Sequence, residues 1–388
     1  MNPGASIIIV TFNSIETIAD CLISTTASLR ANDEILIIDN NSQDNTLAIV
    51  EEFLQPDQKK VRVFPQKKNL GFSRGCNVGI ENSDKEFVIL LNPDTQVFGD
   101  WIKRLTGHFK IYPKTGAVGP LSNQCLRSQQ IQTYFPNYKA YYADAFQLLD
   151  VLQSTMHKRS LPKRLLMGFC LVLRRDLIEK LGPLDEDIFL GIEDVEMSWR
   201  LRENGYSLRV ALDVFINHQR QTSFKSLEKT QVDKIIQESA DVLFAKMQEY
   251  YKPAKVPHPR LYFNIDWWQP SILKQKSEDE VFDSSLLKHD RSKIIPAIQR
   301  LLKSKHQRQA IELLEETLNI IVDDHLMWYT LGSLHLINKD FEKAEIALKN
   351  AWAYVETHEK AQDKLWSLFS EQGRDDEAIE LFGDLQRC

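Results

Sequence analysis

The 388-residue sequence has few cysteines, no surplus of positive charge and no long apolar run. Its five cysteines (Cys21, Cys76, Cys125, Cys170 and Cys388) are odd in number and show no Cys-x-x-Cys spacing. That excludes a disulfide framework and a cysteine-built zinc site, and it fits a reducing cytoplasm. With a formal charge of −6 the chain offers no basic excess to a phosphate backbone, so nucleic acid is excluded as the main partner. No apolar stretch approaches the roughly 20 residues needed to cross a bilayer, and Met1 to Ser6 lacks the basic and apolar regions of a signal peptide. The expectation is a cytoplasmic protein with at most peripheral contact at the inner face of the membrane.

What remains is an ordinary globular composition, 43% hydrophobic and 26% charged, in a chain long enough for two domains or one with an appendage. Over the first hundred-odd residues, apolar runs of strand length alternate with amphipathic stretches. "SIIIVTF" (Ser6 to Phe12), "EILIID" (Glu34 to Asp39), "VRVFP" and "EFVILLNP" read as buried strands. Helices are expected over Ile15 to Leu29, near Asn45 to Phe53 with Asp44 as cap, and near Ser73 to Glu81. This rhythm predicts a parallel sheet covered on both faces, with ligands bound outside the carboxyl ends of the strands. Those ends carry three polar clusters, Thr11 to Asn13, Asp39 to Asn41 and Asn92 to Asp94. Each alone reads as a turn or helix cap; three in register indicate one crevice.

Several segments, in order, are "SIIIVTFNS", "ILIIDNNSQDNT", "KKNLGFSRGCNVGI", "VILLNPDTQV", "MGFCLVLRRDLIEKLGPLDEDIF", "GIEDVEMSWRLRENGYSLRV" and "VFINH". Together, over roughly residues 6 to 220, the chain resembles the inverting glycosyltransferases of family 2. Within them "LLNPDT" is most similar to the rhamnosyltransferase-type branch, where Asn-Pro-Asp stands for the commoner Asp-x-Asp. The resemblance implies an α/β GT-A nucleotide-diphospho-sugar transferase fold, a doubly wound mixed sheet. It also implies a nucleotide-diphosphate sugar donor and a magnesium or manganese ion.

Charge grows on the diphosphate as the glycosidic bond breaks, and a hard divalent cation with oxygen ligands stabilises it. The resemblance assigns Asp94 as the metal carboxylate and His218 as the residue completing the site. Asn92 replaces the first acid of the usual pair and is free for the ribose side. Asp39 would contact base and ribose, with Thr11 and Asn13 flanking the base pocket and Asn69, Gly71, Arg74 and Asn77 lining the nucleotide-sugar site. An acceptor hydroxyl needs a base to become nucleophilic; the resemblance gives Asp194 that role, with Glu193 as its positioning partner. Acids in a first helical turn also suit the helix dipole, which is their purely structural reading. Asp185, Glu186 and Phe189 are expected on the acceptor side. The aromatic and basic residues between Asn123 and Arg164, among them Tyr134, Phe135, Tyr141, Tyr142, Lys158, Arg159, Lys163 and Arg164, read as an acceptor-side segment, a membrane-surface patch or a solvated insert.

Beyond His218 the pattern turns helical from Ser226 to Tyr251, followed by "YFNIDWWQP" as a strap and the polar "KQKSEDEVFDSS" as a linker. Ala310, Ala344 and Ala378 then recur every 34 residues, each followed four residues later by a large apolar residue (Leu314, Leu348, Phe382). With Trp328, Leu331 and Gly332 half a repeat before Ala344, the segment looks like tetratricopeptide repeats. The expected domains are 1–270 catalytic, 271–292 linker and 293–388 all-α helical repeats. The predicted activity is sugar transfer, with rhamnose as the donor sugar, to a glycan hydroxyl in bacterial surface-glycan synthesis. A protein or peptide acceptor recruited by the repeats, and an inactive scaffold, are the alternatives. The repeats are expected to bind a protein or to join copies of the chain.

Overall fold

The computed structural model describes residues 3–53, 60–125, 128–136, 138, 145–219, 229–283 and 291–383. Apolar runs form nine strands: β1 (Ala5–Thr11), β2 (Glu34–Asp39), β3 (Val61–Pro65), β4 (Phe87–Leu91), β5 (Thr95–Gln96), β6 (Thr115–Ser122), β7 (Ser160–Lys163), β8 (Cys170–Arg174) and β9 (Ser207–His218). Their spatial order is β3-β2-β1-β4-β8-β6-β9-β5, with β7 also beside β9. β1 to β4 are mutually parallel, β8 runs antiparallel to β4 and β6, and β6 is parallel to β9. The sheet is therefore mixed, as expected, and the parallel part that the strand-helix rhythm predicts is β1 to β4. That rhythm covers only β1 to β4; the reversed strand β8 enters after the rhythm has ended.

The strands read as unbroken apolar runs because both faces are buried. Ile8, Val10, Leu36, Ile38, Val88 and Leu90 point into one core, and Ile7, Ile9, Ile35, Ile37 and Ile89 into the other. Helices α1 (Ile18–Ala27) and α4 (Trp101–Ile111) contribute to the second core, and α3 (Phe72–Glu81) to the first. Gly75 and Gly79 let α3 lie close on the sheet: a Cβ there would stand 2.9 Å from Val10 Cγ1 and 2.5 Å from Ile8 Cγ2. In the register Thr11 lies opposite Asp39, and Ile8 opposite both Leu36 and Leu90. The polar clusters after β1, β2 and β4 thus leave the sheet at one edge.

A third core joins the helix Glu193–Glu203 to the strap helix Lys229–Tyr251, through Val195, Trp199, Leu243 and Phe244, and includes Phe263 and Trp268. Residues 271–283, expected as linker, belong to this unit. Val256–Pro257 pairs in parallel with Phe282–Asp283, and Val281 and Phe282 are buried in the same core. The rest of the expected linker up to 290 lies outside the described residues, as do Tyr141, Tyr142 and Cys388.

Six helices follow, Arg291–Lys303, Gln307–Ile320, His325–Ile337, Phe341–Trp352, His358–Glu371 and Asp375–Phe382, each packed on the next. Ala310, Ala344 and Ala378 are fully buried. A Cβ on Gly332 would meet Leu348 Cγ at 2.7 Å, so these helices touch at backbone distance. Arginines fasten this region to the sheet domain: Arg159 donates to Ala353 O at 2.9 Å and Arg164 pairs with Asp323 at 2.6 Å. Lys158 likewise donates to Glu380 O. Of the basic residues read as a membrane-surface patch, Lys158, Arg159 and Arg164 are thus committed to the C-terminal region. Among the described residues no helix is long and apolar enough to cross a membrane.

Candidate functional site

A cleft of about 480 Å³ opens at the carboxyl edge of the sheet, lined by Asn69, Gly71, Asn92, Glu193, Asp194 and His218 together with several aromatic side chains. On its nucleotide side the three polar clusters brace one another. Asp39 is 2% exposed; its Oδ1 accepts from Thr11 Oγ1 at 3.0 Å and Ser42 Oγ at 2.6 Å, and its Oδ2 from Ser42 N at 3.1 Å. Asn13, with a positive φ of 49°, accepts from Gln43 N at 2.8 Å and so closes the loop after β2. Asn40 carries the bracing onward, donating to Gly71 O at 2.8 Å and accepting from Leu70 N at 3.0 Å. Gly71 sits at φ 83°, where an L side chain is strained, and its missing Cβ would fall 2.6 Å from the Phe189 ring. The backbone can approach a ligand there because nothing projects from it.

Asp94 and His218 are joined by the pairing of β5 with β9, in which Thr95 lies opposite His218. The His218 Nε2 is 3.3 Å from Asp94 Oδ1. Its Nδ1 lies 2.8 Å from the carbonyl of Gln124, so Nδ1 carries a proton and Nε2 is the ring nitrogen turned toward the carboxylate. Phe169 stacks on the ring at 5.1 Å and holds its plane. Asp94 Oδ1 is buried without a hydrogen bond. Two acceptors that face each other this way call for a cation or a proton between them. The pair thus fits a divalent ion that draws its remaining ligands from diphosphate and water; no group of three or more acidic, His or Cys side chains suited to a metal occurs among the described residues.

Asp194 begins the helix Glu193–Glu203 and is 7% exposed. Gly168 N donates to its Oδ2 at 3.0 Å and Val195 N to its Oδ1 at 2.8 Å, which fixes the carboxyl plane. Burial, followed by the charge of Glu193, pushes its carboxyl up to about 7. Glu193 accepts from Gly191 N and from Ile192 N at 3.0 Å and is itself raised by burial. Glu196, one turn on, is held by Arg200 at 2.9 Å and serves the helix.

The matching of this chain to known proteins agrees with that arrangement. Residues 6–182 match the model for glycosyl transferase family 2. Over those residues the chain is similar to glycosyl transferase family 2. Glycosyltransferase AglE of Haloferax volcanii is 27% identical over 221 residues, 56% of this chain and 67% of AglE. The poly-beta-1,6-N-acetyl-D-glucosamine synthase of Staphylococcus epidermidis is 26% identical over 213 residues, 53% of this chain. The chain spans 47% of that synthase's length, about half. Among solved structures, GalNAc-T7 with UDP, GalNAc and Mn2+ aligns with a TM-score of 0.49 at 16% identity, covering 76% of this chain and 57% of that one.

The matched segment contains Asp94 but ends before Asp194 and His218, which later elements deliver to the cleft. Of the expected site residues Asn69, Gly71, Asn92, Glu193, Asp194 and His218 line the cleft, Asp94 lies beside His218, and Thr11, Asn13, Asp39, Arg74 and Asn77 are not in its lining. Asn77, 2% exposed, is engaged with Leu184 O at 2.9 Å, Leu184 N at 3.0 Å and Glu186 Oε1 at 3.1 Å, so it pins the loop before the catalytic helix. Arg74 is half exposed and pairs with Glu186 at 3.4 Å. Asp39, Thr11 and Asn13 form the floor's internal bracing. Asp185 is taken by Lys246 of the strap helix and caps Asp187 N at 3.1 Å. Conversely, Trp267 and Ile236 reach the cleft from the strap, and Phe169, Met167 and Gln124 line it. Of these only the Trp pair carried a sequence signal, as clustered aromatics.

Proposed function

We propose that this protein is an inverting glycosyltransferase that moves a sugar from a nucleotide-diphosphate donor to a hydroxyl of a glycan acceptor. The observation that carries the reading is a buried carboxyl raised to about 7, Asp194, in the same cleft as the Asp94–His218 pair. At neutral pH such a carboxylate is basic enough to take a proton and still partly ionised. Asp194 accepts the acceptor's hydroxyl proton as that oxygen bonds to the anomeric carbon. The bond from that carbon to the diphosphate oxygen breaks, and its electron pair leaves with the nucleotide. A single displacement of this kind inverts the anomeric configuration. Glu193 holds Gly191 and Ile192 at the helix start and so positions Asp194. Asp94 and His218 would hold magnesium or manganese, which neutralises charge on the leaving diphosphate. Phe189 and Trp267, apolar side chains exposed at the cleft, would cover a bound donor against water and so limit its hydrolysis.

The Asn92-Pro93-Asp94 sequence supports a deoxythymidine-diphosphate rhamnose donor, and the two relatives support a cytoplasmic role in surface-glycan synthesis. The 34-residue spacing with buried alanines supports tetratricopeptide-like repeats over 293–388 that engage a protein or a second copy of the chain. Calorimetric titration with a panel of nucleotide diphosphates and nucleotide sugars, with and without manganese, tests the reading. Metal-dependent binding of one donor supports it and names the base; no binding to the folded protein refutes it.

A further inference from the structure

A cavity of about 600 Å³ lies between the sheet domain and the C-terminal helices, remote from the cleft. Arg209 marks one end of β9 and His218 the other, nine residues or roughly 30 Å along the strand. The cavity wall contains a buried cation, Arg209, and two partly buried ones, Arg202 and Lys163, none of them in an ion pair with a carboxylate among the described residues. Arg209, 2% exposed, donates to Ser160 Oγ at 2.8 Å, to Ser160 O and to Asn350 Oδ1 at 2.7 Å, and lies 3.5 Å from the centroid of the Tyr112 ring. Arg202 donates only to carbonyls, those of Arg164, Tyr262, Asn319 and Ile320. Lys163 sits over the Tyr134 ring at 5.6 Å. Burial pulls the affinity of all three for their protons down, the mark of charge lacking a full counter-ion.

The neighbouring carboxylates are already engaged. Asp323 belongs to Arg164, and Glu203 accepts from the Tyr251 and Tyr262 hydroxyls. On the helical wall Glu345 pairs with Arg374 and Lys349, and Glu377 with Arg374, which leaves Glu342 against the surplus cations. Tyr112, 7% exposed, lines the cavity with its ring, and its hydroxyl is buried beside Ser160 and Arg209. A buried cation is costly unless something anionic faces it, and the volume falls in the usual range for a small-molecule site.

We infer that this interdomain cavity is a second ligand site, for a small phosphate-bearing anion, with Arg202, Arg209 and Lys163 as its cations. The anion supplies the missing counter-charge to both units and so ties the helical region to the sheet domain. Free nucleoside diphosphate and sugar phosphate share this chemistry. The site stands independently of the reading of the cleft.

Calorimetry on the full chain, with chelator present to suppress metal-dependent donor binding, tests it with inorganic pyrophosphate, a nucleoside diphosphate and a hexose 1-phosphate. One equivalent of pyrophosphate should bind to the wild type and equally to Asp94→Ala, and at least tenfold more weakly to Lys163→Gln. Glu342→Gln, which removes the remaining acid, should bind severalfold more tightly and guards against a folding defect in Lys163→Gln. Tighter binding of the nucleoside diphosphate than of pyrophosphate assigns the site to nucleotide, and of the hexose phosphate to sugar phosphate. Absence of pyrophosphate binding at millimolar concentration, or binding that Asp94→Ala abolishes, overturns the inference. So does binding that both Lys163→Gln and Glu342→Gln leave unchanged.

Discussion

Asp194 is the residue on which chemistry and stability meet. Its folded carboxyl is raised to about 7, so the folded state binds the proton more tightly than the unfolded chain does. Stability from this group is therefore present at low pH and declines as pH rises from the ordinary carboxylate range toward 7 and beyond. Activity runs the opposite way, since the base must be ionised. We expect turnover to climb with pH through about 7, and Asp194→Asn to lower it by about 10²-fold or more with donor affinity retained. The melting temperature of wild type should fall more between pH 5 and pH 8 than that of the same variant, a comparison scanning calorimetry makes directly. Asp94→Ala should abolish the response of turnover to manganese while leaving the melting temperature unchanged, read in a metal titration of the rate. That Asp194 and His218 would share a cleft, with Asp94 beside His218, was expected from the resemblance of their segments and not from residue type, since acids in a first helical turn and a lone histidine also have ordinary structural readings. Asn77 was misread because nearness in sequence to Gly71 says nothing of direction. Six residues on, it faces the Leu184 loop rather than the cleft.

Among the elements, β1 to β4 and α3 could be read almost residue by residue, since strands buried on both faces leave continuous apolar runs. The reversal at β8 could not, because an antiparallel neighbour has the same composition as a parallel one. The short strand β5, two residues long, was equally hidden, yet its pairing with β9 is what sets Asp94 against His218. Nor did any local signal show that Trp267 would reach the cleft while Trp268 turns into the strap core; exposures of 40% and 2% separate them. The contact of α3 with β1 gives the sharpest test at this scale. Gly79→Val would drive branched carbons into Ile8, whose Cγ2 is 2.5 Å from the position of the first added carbon. Overpacking of this sort costs typically about 1–3 kcal/mol, measurable as a lower midpoint in urea unfolding with donor contacts untouched.

For the whole molecule, the helical region is fastened to the sheet domain by side chains that the sheet domain contributes. A 34-residue spacing in the sequence reveals repeated helices, but not which surface they rest on. Arg164 and Asp323 are 11% and 19% exposed and sit at that junction. Burial raises the Asp323 carboxyl, but the Arg164 guanidinium outweighs it and holds the carboxyl below the usual carboxylate range. The pair therefore stabilises the docked state above that range, and its contribution fades as pH falls through the lowered value. Arg164→Met should destabilise the chain at pH 7 by about 1–2 kcal/mol, less than for a fully buried pair because water reaches both groups. The difference from wild type should shrink in acid, as followed by thermal melting between neutral and acidic pH.

The central claim, that Asp194 drives a single inverting displacement in this cleft, is tested most directly by the stereochemistry of one turnover. The full chain, manganese and the donor identified by titration would be given a hydroxyl acceptor, and the anomeric configuration of the product read by nuclear magnetic resonance, for wild type and Asp194→Asn. The account predicts a product of inverted configuration from the wild type and a rate at least about a hundredfold lower from the variant with unchanged donor affinity. A product of retained configuration, or a variant as fast as wild type, would contradict it.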